Sequence, residues 1–176
     1  MDPFATLGLP RRYDLDLAEL ETRYRDLQRA LHPDRHAGAS ASVRRMSAQK
    51  TALVNDAYRL LKDDMRRAEA LLVAHGGSAV RDDQVADPEF LMQMLELREQ
   101  LGEAREAQDH TRVQALAVEV EALQSTARAQ LRQAFDALSS QANPGTLAEA
   151  ADLVSRLKYF RRFLDEVHHH AEEHAG

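Results

Sequence analysis

The sequence of 176 residues predicts an all-α protein. Ala, Leu, Glu, Arg and Gln dominate, whereas Val and Thr are scarce and Ile is absent, so helix formers outnumber strand formers. Apolar residues recur at spacings of three and four along most of the chain, as on one face of an α-helix. We therefore predict an antiparallel helical hairpin with short flanking helices over residues 1–75, a linker over 76–86, and an antiparallel three-helix bundle over 87–176.

The hairpin begins with a helix predicted over residues 16–31. Asp14 or Asp16 can cap its start, and it ends near His32 because Pro33 cannot donate a backbone hydrogen bond and disfavours α conformation in the residue before it. Two further helices are predicted over residues 42–61 and 65–75. The first helix is expected to bury one apolar stripe, which consists of Leu17, Leu20, Tyr24, Leu27 and Leu31. The apolar positions of the second helix include Met46, Leu53, Ala57, Leu60 and Leu61.

The bundle begins at Asp87-Pro88, a capping residue followed by the residue type preferred at the first helical position. Its first helix is predicted over residues 87–101, and Gly102 ends or weakens it. The second helix, over residues 109–140, has a near-heptad apolar seam at positions 113, 116, 120, 123, 127, 131, 134 and 138.

A turn is predicted at Asn143-Pro144-Gly145, before the third helix of the bundle. Thr146 is the predicted cap of that helix, and Glu149 completes a capping box with it. The helix runs toward residue 167. Its expected core stripe is Leu153, Leu157, Phe160, Leu164 and Val167.

Charge and composition exclude several classes of function. Residues 1–75 carry 13 basic and 11 acidic side chains, a net charge of +2, whereas residues 76–176 carry 10 and 18, a net charge of −8. An acidic second half argues against nucleic-acid binding. The absence of cysteine excludes disulfides, thiolate metal ligands and a cysteine nucleophile. No apolar run is long enough to span a bilayer and residues 1–9 do not resemble a signal peptide, so we expect a cytoplasmic protein without membrane contact.

The triplet His32-Pro33-Asp34 is the most specific motif of the first half. Pro33 stiffens the loop, which lowers the entropy that docking would cost, and Asp34 can accept charge-assisted hydrogen bonds from a partner arginine. Arg25 and Arg29, on the preceding helix, would match an acidic partner surface. The alternative interpretation is that the triplet is only a helix stop followed by a turn.

The order of features in the first half resembles that of the J-domain family of co-chaperones. A basic helix is followed by His-Pro-Asp and then by a helix with Asn55-Asp56-Ala57-Tyr58 near its end. The resemblance implies that the first unit docks on a DnaK-class chaperone and stimulates its ATPase, so the chain itself would not be an enzyme. Where the family often has a basic residue after the position of Arg25, this chain has Asp26. The chaperone contacts that the resemblance implies are Tyr24, Arg25, Arg29, His32, Pro33, Asp34 and Arg35. Tyr24 lies in the apolar stripe, so a core role is an equal alternative for it.

The first bundle helix carries more apolar residues than a small bundle needs. Phe90, Met94, Leu97 and Leu101 fall in one sector of the helical projection and suffice for packing. A second, mixed face remains, and we interpret it as a partner surface, with a fuller core or packing on the first domain as the alternatives. That face consists of Leu91, Met92, Leu95, Glu96 and Glu99, and Tyr159 of the third helix is a further candidate.

Three segments resemble the HscB family, the J-type co-chaperones of iron–sulfur cluster assembly: residues 4–10, 66–72 and 90–99. The chain has neither the Gly/Phe-rich stretch nor the cysteine-rich zinc region of general DnaJ proteins. The resemblance implies HscA as the chaperone and the cluster scaffold IscU as the client. The implied scaffold contacts are Leu91, Met92, Leu95, Glu96, Glu99 and Tyr159, with Phe160 as the substitute if the register differs by one residue.

Two alternatives of other classes stay open: a helical adaptor whose triplet is only a turn, and a J-domain protein with a different client. We predict no cofactor and no metal site, and we expect a monomer or a weak dimer. Four histidines near the C-terminus lack the spacing of a zinc protease, because Ala171 follows the first residue of the i, i+4 pair. These are His168, His169, His170 and His174, and we interpret them as a solvated helix end.

Overall fold

The computed structural model describes residues 2–32, 34, 38, 40–78, 87–141 and 143–173, with two compact units at residues 1–79 and 80–176. Seven helices and no strand occur in these ranges, which confirms the all-α prediction. The helices are α1 Pro3–Leu7, α2 Leu17–Ala30, α3 Ala41–Lys62, α4 Asp64–Ala74, α5 Pro88–Glu106, α6 His110–Ser140 and α7 Pro144–Glu173. Within the described ranges, no helix combines the length and apolarity that a membrane crossing requires.

The first unit is a hairpin of α2 and α3, with α1 and α4 packed against α3. Asp16 caps α2 by accepting hydrogen bonds from two backbone amides, and Ser40 caps α3. The prediction of a buried stripe on α2 is wrong for Leu17, which is 53% exposed, and Met46 and Leu53 of α3 are also about half exposed. A hairpin covers each helix from one side only, so apolar residues at the edge of the stripe stay in solvent. Fully buried side chains of this unit are Phe4, Leu7, Leu20, Leu61, Leu71 and Leu72.

Arg67 of α4 is a buried cation that joins three segments of the first unit. Its side chain is 7% exposed, and its Nε donates to the carbonyl of Tyr13 at 2.8 Å while Nη1 donates to the carbonyl of Leu61. Burial lowers the pKa of the Arg67 guanidinium. Leu61 lies in the last turn of α3, where carbonyls lack intrahelical partners, so Arg67 completes that helix end.

We expect Arg67→Met to lower the free energy of unfolding by about 1–3 kcal/mol, since two buried carbonyls would lose their donor while the side-chain volume is nearly kept. Urea denaturation followed by circular dichroism measures the change. Arg66→Met is the matched control, because Arg66 is exposed and next in sequence. Equal stability of the two variants would contradict a bracing role for Arg67.

The second unit is an antiparallel bundle of α5, α6 and α7, and its apolar seam is confirmed. Of the predicted α6 seam, positions 116, 120, 127, 131, 134 and 138 are buried and the other two are half-buried. All four residues predicted for the α5 core face are buried. The predicted α7 stripe is also buried, together with Phe163.

Two predicted helix boundaries of the second unit are wrong. Helix α5 continues through Gly102 to Glu106, because burial of Leu101 and Ala104 on either side of the glycine outweighs its cost of about 1 kcal/mol. Helix α7 begins at Pro144 rather than after Thr146. The side chain of Asn143 accepts the backbone N–H of Gly145 at 2.8 Å, so the asparagine supplies the cap and the proline begins the helix.

Candidate functional site

The predicted chaperone-binding loop begins where α2 ends. The side chain of Ser47, buried on α3, donates to the carbonyl of Leu31 at 3.0 Å. That carbonyl belongs to the last turn of α2, so α3 fixes the backbone directly before His32. Two of the predicted contacts, Pro33 and Arg35, lie outside the described residues.

His32 and Asp34 both expose their side chains. The backbone N–H of Asp34 donates to Nδ1 of His32 at 3.3 Å, and the carboxylate of Asp34 lies 3.5 Å from the same nitrogen. Since Nδ1 accepts this hydrogen bond, a neutral His32 ring carries its proton on Nε2. Of the described loop residues, His32 therefore offers a partner an N–H donor and Asp34 offers an exposed carboxylate.

The arginines of α2 are each paired with an acidic side chain of the same helix. Arg25 donates from Nε to Glu21 at 2.9 Å, and Arg23 lies 3.5 Å from Glu19. Arg29 donates from Nη2 to the carboxylate of Asp26. All three arginine side chains are more than half exposed, so a partner can reach them.

Tyr24 belongs to a polar network between α2 and α3. Its ring stacks on that of Tyr58 with centroids 4.0 Å apart, and its hydroxyl donates to Asn55 Oδ1 at 3.1 Å. Gln28 donates to the same hydroxyl at 3.0 Å and also to Asn55. The ring of Tyr24 is therefore engaged within the unit, and its role as a chaperone contact stays a prediction.

Glu21 connects this network to the solvent face of α2. It accepts the hydroxyl of Tyr58 as well as Nε of Arg25. The hydrogen bond from Tyr58 and, after it, the arginine hold the pKa of the Glu21 carboxyl below its usual value. The same hydrogen bond raises the pKa of the Tyr58 hydroxyl. Both shifts favour a carboxylate on Glu21 and a protonated phenol on Tyr58.

The mixed face of α5, which we call the α5 patch, consists of Leu91, Met92, Leu95, Glu96 and Glu99. Leu91 is 37% exposed, Met92 58% and Leu95 65%, and both glutamates are also exposed. The alternative of a fuller core is therefore excluded for Met92 and Leu95 within the second unit. Large aliphatic groups beside carboxylates suit a partner that is apolar at its centre and basic at its rim.

Tyr159 lies beside the first turn of α5. Its ring meets that of Phe90 edge to face with centroids 5.8 Å apart, and the guanidinium of Arg162 lies 4.6 Å from the Tyr159 centroid. Tyr159 is half-buried, whereas Phe160 is 4% exposed and belongs to the core. Phe160 is therefore not available as the substitute contact, whereas Tyr159 is accessible and contacts Phe90, the residue before the α5 patch.

Arg156 fixes the start of α5 against α7, which the sequence analysis did not anticipate. It donates to Asp87 at 2.8 Å and to Asp152 at 2.7 Å, and its guanidinium lies 5.0 Å from the ring centroid of Phe90. The i, i+4 spacing of Asp152 and Arg156 is visible in the sequence, but the contact with Asp87 spans 69 positions.

A metal centre finds no support in the described part of the chain, where no group of three His, Cys, Asp or Glu side chains is suitably placed. Nδ1 of His169 lies 3.0 Å from the backbone carbonyl oxygen of Asp165, to which it donates when it carries the ring proton, and this contact lies within its own helix. The predicted pair His170 and His174 lies outside the described side chains.

Known proteins resemble both units. The DnaJ domain profile matches residues 2–70, and the profile of the HSCB C-terminal oligomerisation domain matches residues 86–168. The "Co-chaperone protein HscB homolog" of Vibrio atlanticus (strain LGP32) is 36% identical over 168 residues, 95% of each chain. The solved structure of chaperone HscB from Vibrio cholerae has 35% identity and a TM-score of 0.78, covering 98% of this chain and 99% of that one. Human co-chaperone HscB has 27% identity and a TM-score of 0.83, covering 97% and 82%.

Proposed function

Because this chain belongs to the HscB family of J-domain co-chaperones, which act in iron–sulfur cluster assembly, we propose that it couples the chaperone HscA to the scaffold IscU. The J-domain would stimulate ATP hydrolysis by HscA, and the C-terminal unit would bind IscU. The chain would thereby deliver the scaffold to the chaperone as ATP hydrolysis increases the affinity of the chaperone for its client.

The observation that carries the client half of the proposal is the exposure of Leu91, Met92 and Leu95 on a helix whose opposite face is fully packed. Aliphatic side chains that the fold leaves in water are unfavourable there. A partner that buries them gains the corresponding hydrophobic free energy. Glu96 and Glu99 on the same face favour a scaffold surface with basic groups and orient it.

The chaperone half rests on the loop after α2. The hydrogen bond from Ser47 to the carbonyl of Leu31 holds the end of α2. His32 and Asp34 should therefore lose little conformational entropy when they bind a partner. Arg25 and Arg29 lie on the exposed face of the same helix and favour an acidic surface of the chaperone. The contacts of Tyr24, Pro33 and Arg35 belong to the same proposal on the basis of the family resemblance.

We further propose that the protein acts in the cytoplasm as a monomer, without a cofactor and without catalysis of its own. Sedimentation velocity of the purified chain tests whether it is a monomer. A larger species would agree instead with the description of the matching C-terminal profile as an oligomerisation domain.

Single-turnover ATP hydrolysis by HscA, with and without the full chain and IscU, tests the proposal. We expect the chain to accelerate hydrolysis, and calorimetry to show binding of IscU to the full chain with a Kd of about 1 μM or lower. Acceleration without IscU binding would indicate another client. No acceleration would favour a helical adaptor whose His-Pro-Asp triplet is only a turn.

A further inference from the structure

We infer that Glu21 is a positioning residue for chaperone docking: with Tyr58, it holds the side chain of Arg25 in the pose that meets a carboxylate of the chaperone. The inference rests on the proposed function. Glu21 itself contacts α3 and Arg25, so it would act through the arginine rather than through the partner.

The contact between Glu21 and Arg25 leaves the two terminal nitrogens of the guanidinium, Nη1 and Nη2, accessible. Glu21 accepts from Nε at 2.9 Å, and no hydrogen bond within the described residues occupies the two terminal nitrogens. The side chain of Arg25 is 70% exposed. A guanidinium held at Nε can still present a terminal N–H to a partner carboxylate.

Glu21 is itself held from the opposite helix. The hydroxyl of Tyr58 donates to its second carboxylate oxygen, and the ring of Tyr58 is fixed by stacking on Tyr24 at 4.0 Å. The ammonium of Lys62 lies 5.5 Å from the centroid of the same Tyr58 ring. The orientation of Arg25 is thus set by the packing of α2 on α3 and not by one flexible ion pair.

Arg29 shows the contrasting arrangement on the same face. Its Nη2 donates to Asp26, so a terminal nitrogen is already occupied before a partner arrives. Within the described residues, Asp26 makes no hydrogen bond or ion pair with α3, and the side chains of both Asp26 and Arg29 are exposed. Docking through that nitrogen would break this pair, whereas docking through a terminal nitrogen of Arg25 can retain its contact with Glu21.

The test is a titration of HscA with full-length variants, giving the half-saturating concentration and the maximal rate of ATP hydrolysis separately. Glu21→Gln should raise the half-saturating concentration roughly two- to tenfold, the factor expected when one long side chain must be ordered on binding, and leave the maximal rate unchanged. Tyr58→Phe should act in the same direction with a smaller factor. Glu19→Gln is the matched control, because it removes one charge from the same helix and affects only Arg23.

A double-mutant cycle distinguishes positioning from a general effect of charge or stability. In an Arg25→Ala background, Glu21→Gln should have no further effect, because there is no guanidinium left to orient. An equal effect with and without Arg25 would overturn the inference. So would a lower half-saturating concentration of Glu21→Gln, which would make Glu21 a competitor for Arg25.

A second readout does not depend on the chaperone. In the free chain, the NMR signal of the Arg25 Nε–H should be dispersed and slow to exchange with water, and both Glu21→Gln and Tyr58→Phe should weaken this protection. An Arg25 signal in the unaltered chain at the position of a solvated arginine would overturn the inference whatever the ATPase shows. If the Arg25 signal is protected but the chain does not stimulate HscA, the ordering of Arg25 by Glu21 stands and the proposed function is refuted.

Discussion

A His32→Gln chain should lose its stimulation of HscA almost completely while it binds IscU as the unaltered chain does. Glutamine replaces the rigid ring, whose Nδ1 accepts the backbone N–H of Asp34, with a flexible chain that no longer fixes the positions of its donor and acceptor. A contact at the centre of an interface costs about 2 kcal/mol or more on truncation, which corresponds to roughly a thirtyfold loss of docking. Single-turnover hydrolysis at a fixed concentration of chain measures the loss.

The control for this experiment is His110→Gln, the same substitution at an exposed histidine of the other unit. It should stimulate HscA normally. His32 is exposed, so the helical circular dichroism signal and the melting temperature of both variants should match those of the unaltered chain. Normal stimulation by His32→Gln would refute the J-domain interpretation of the loop.

The double variant Leu91→Ala, Leu95→Ala should weaken the binding of IscU by about 2–4 kcal/mol, or roughly thirty- to a thousandfold in Kd. Leu95 is 65% exposed and Leu91 37%, and truncation removes from the complex the apolar area that a partner would cover. Calorimetric titration of IscU into the full chain gives the affinity. Urea unfolding should show that the free energy of unfolding changes by no more than about 0.5 kcal/mol.

Two controls separate an interface from a core effect. Val118→Ala truncates an aliphatic side chain of α6 that is equally exposed, and it should leave IscU binding unchanged. Leu97→Ala truncates a buried leucine of the same helix and should destabilise the chain by about 2–5 kcal/mol. A double variant that loses as much stability as Leu97→Ala would place Leu91 and Leu95 in the core. Unchanged affinity would remove them from the interface.

The helices were predictable from the sequence because apolar spacing determines which face is buried. The α6 seam and the α5 core face follow from that spacing alone, and the structure buries most of the predicted positions. The two boundary errors arise where local signals compete. Glycine at position 102 favours a helix end, but packing on both sides of it carries α5 onward. Both Asn143 and Thr146 can cap α7, and the proline after Asn143 decides between them.

The contacts that organise the candidate site were not predictable, because they join positions far apart in the chain. Tyr58 reaches Glu21 across 37 positions and Arg156 reaches Asp87 across 69. Helical spacing indicates which residues share a face, but it does not give the register of one helix on another. For the same reason the choice between Tyr159 and Phe160 needed the structure, which buries the phenylalanine and leaves the tyrosine accessible.

The pairing of arginines along α2 has a consequence for the ionic-strength dependence of docking. When Arg29 leaves Asp26 for a carboxylate of the chaperone, one exposed ion pair is exchanged for another. Salt screens both pairs, so this exchange contributes little to the slope of affinity against salt concentration. Arg25 gains a carboxylate and gives up none, so its attraction should be screened without compensation. The number of arginines on α2 therefore overstates the salt sensitivity of docking, and most of that sensitivity should be attributable to Arg25.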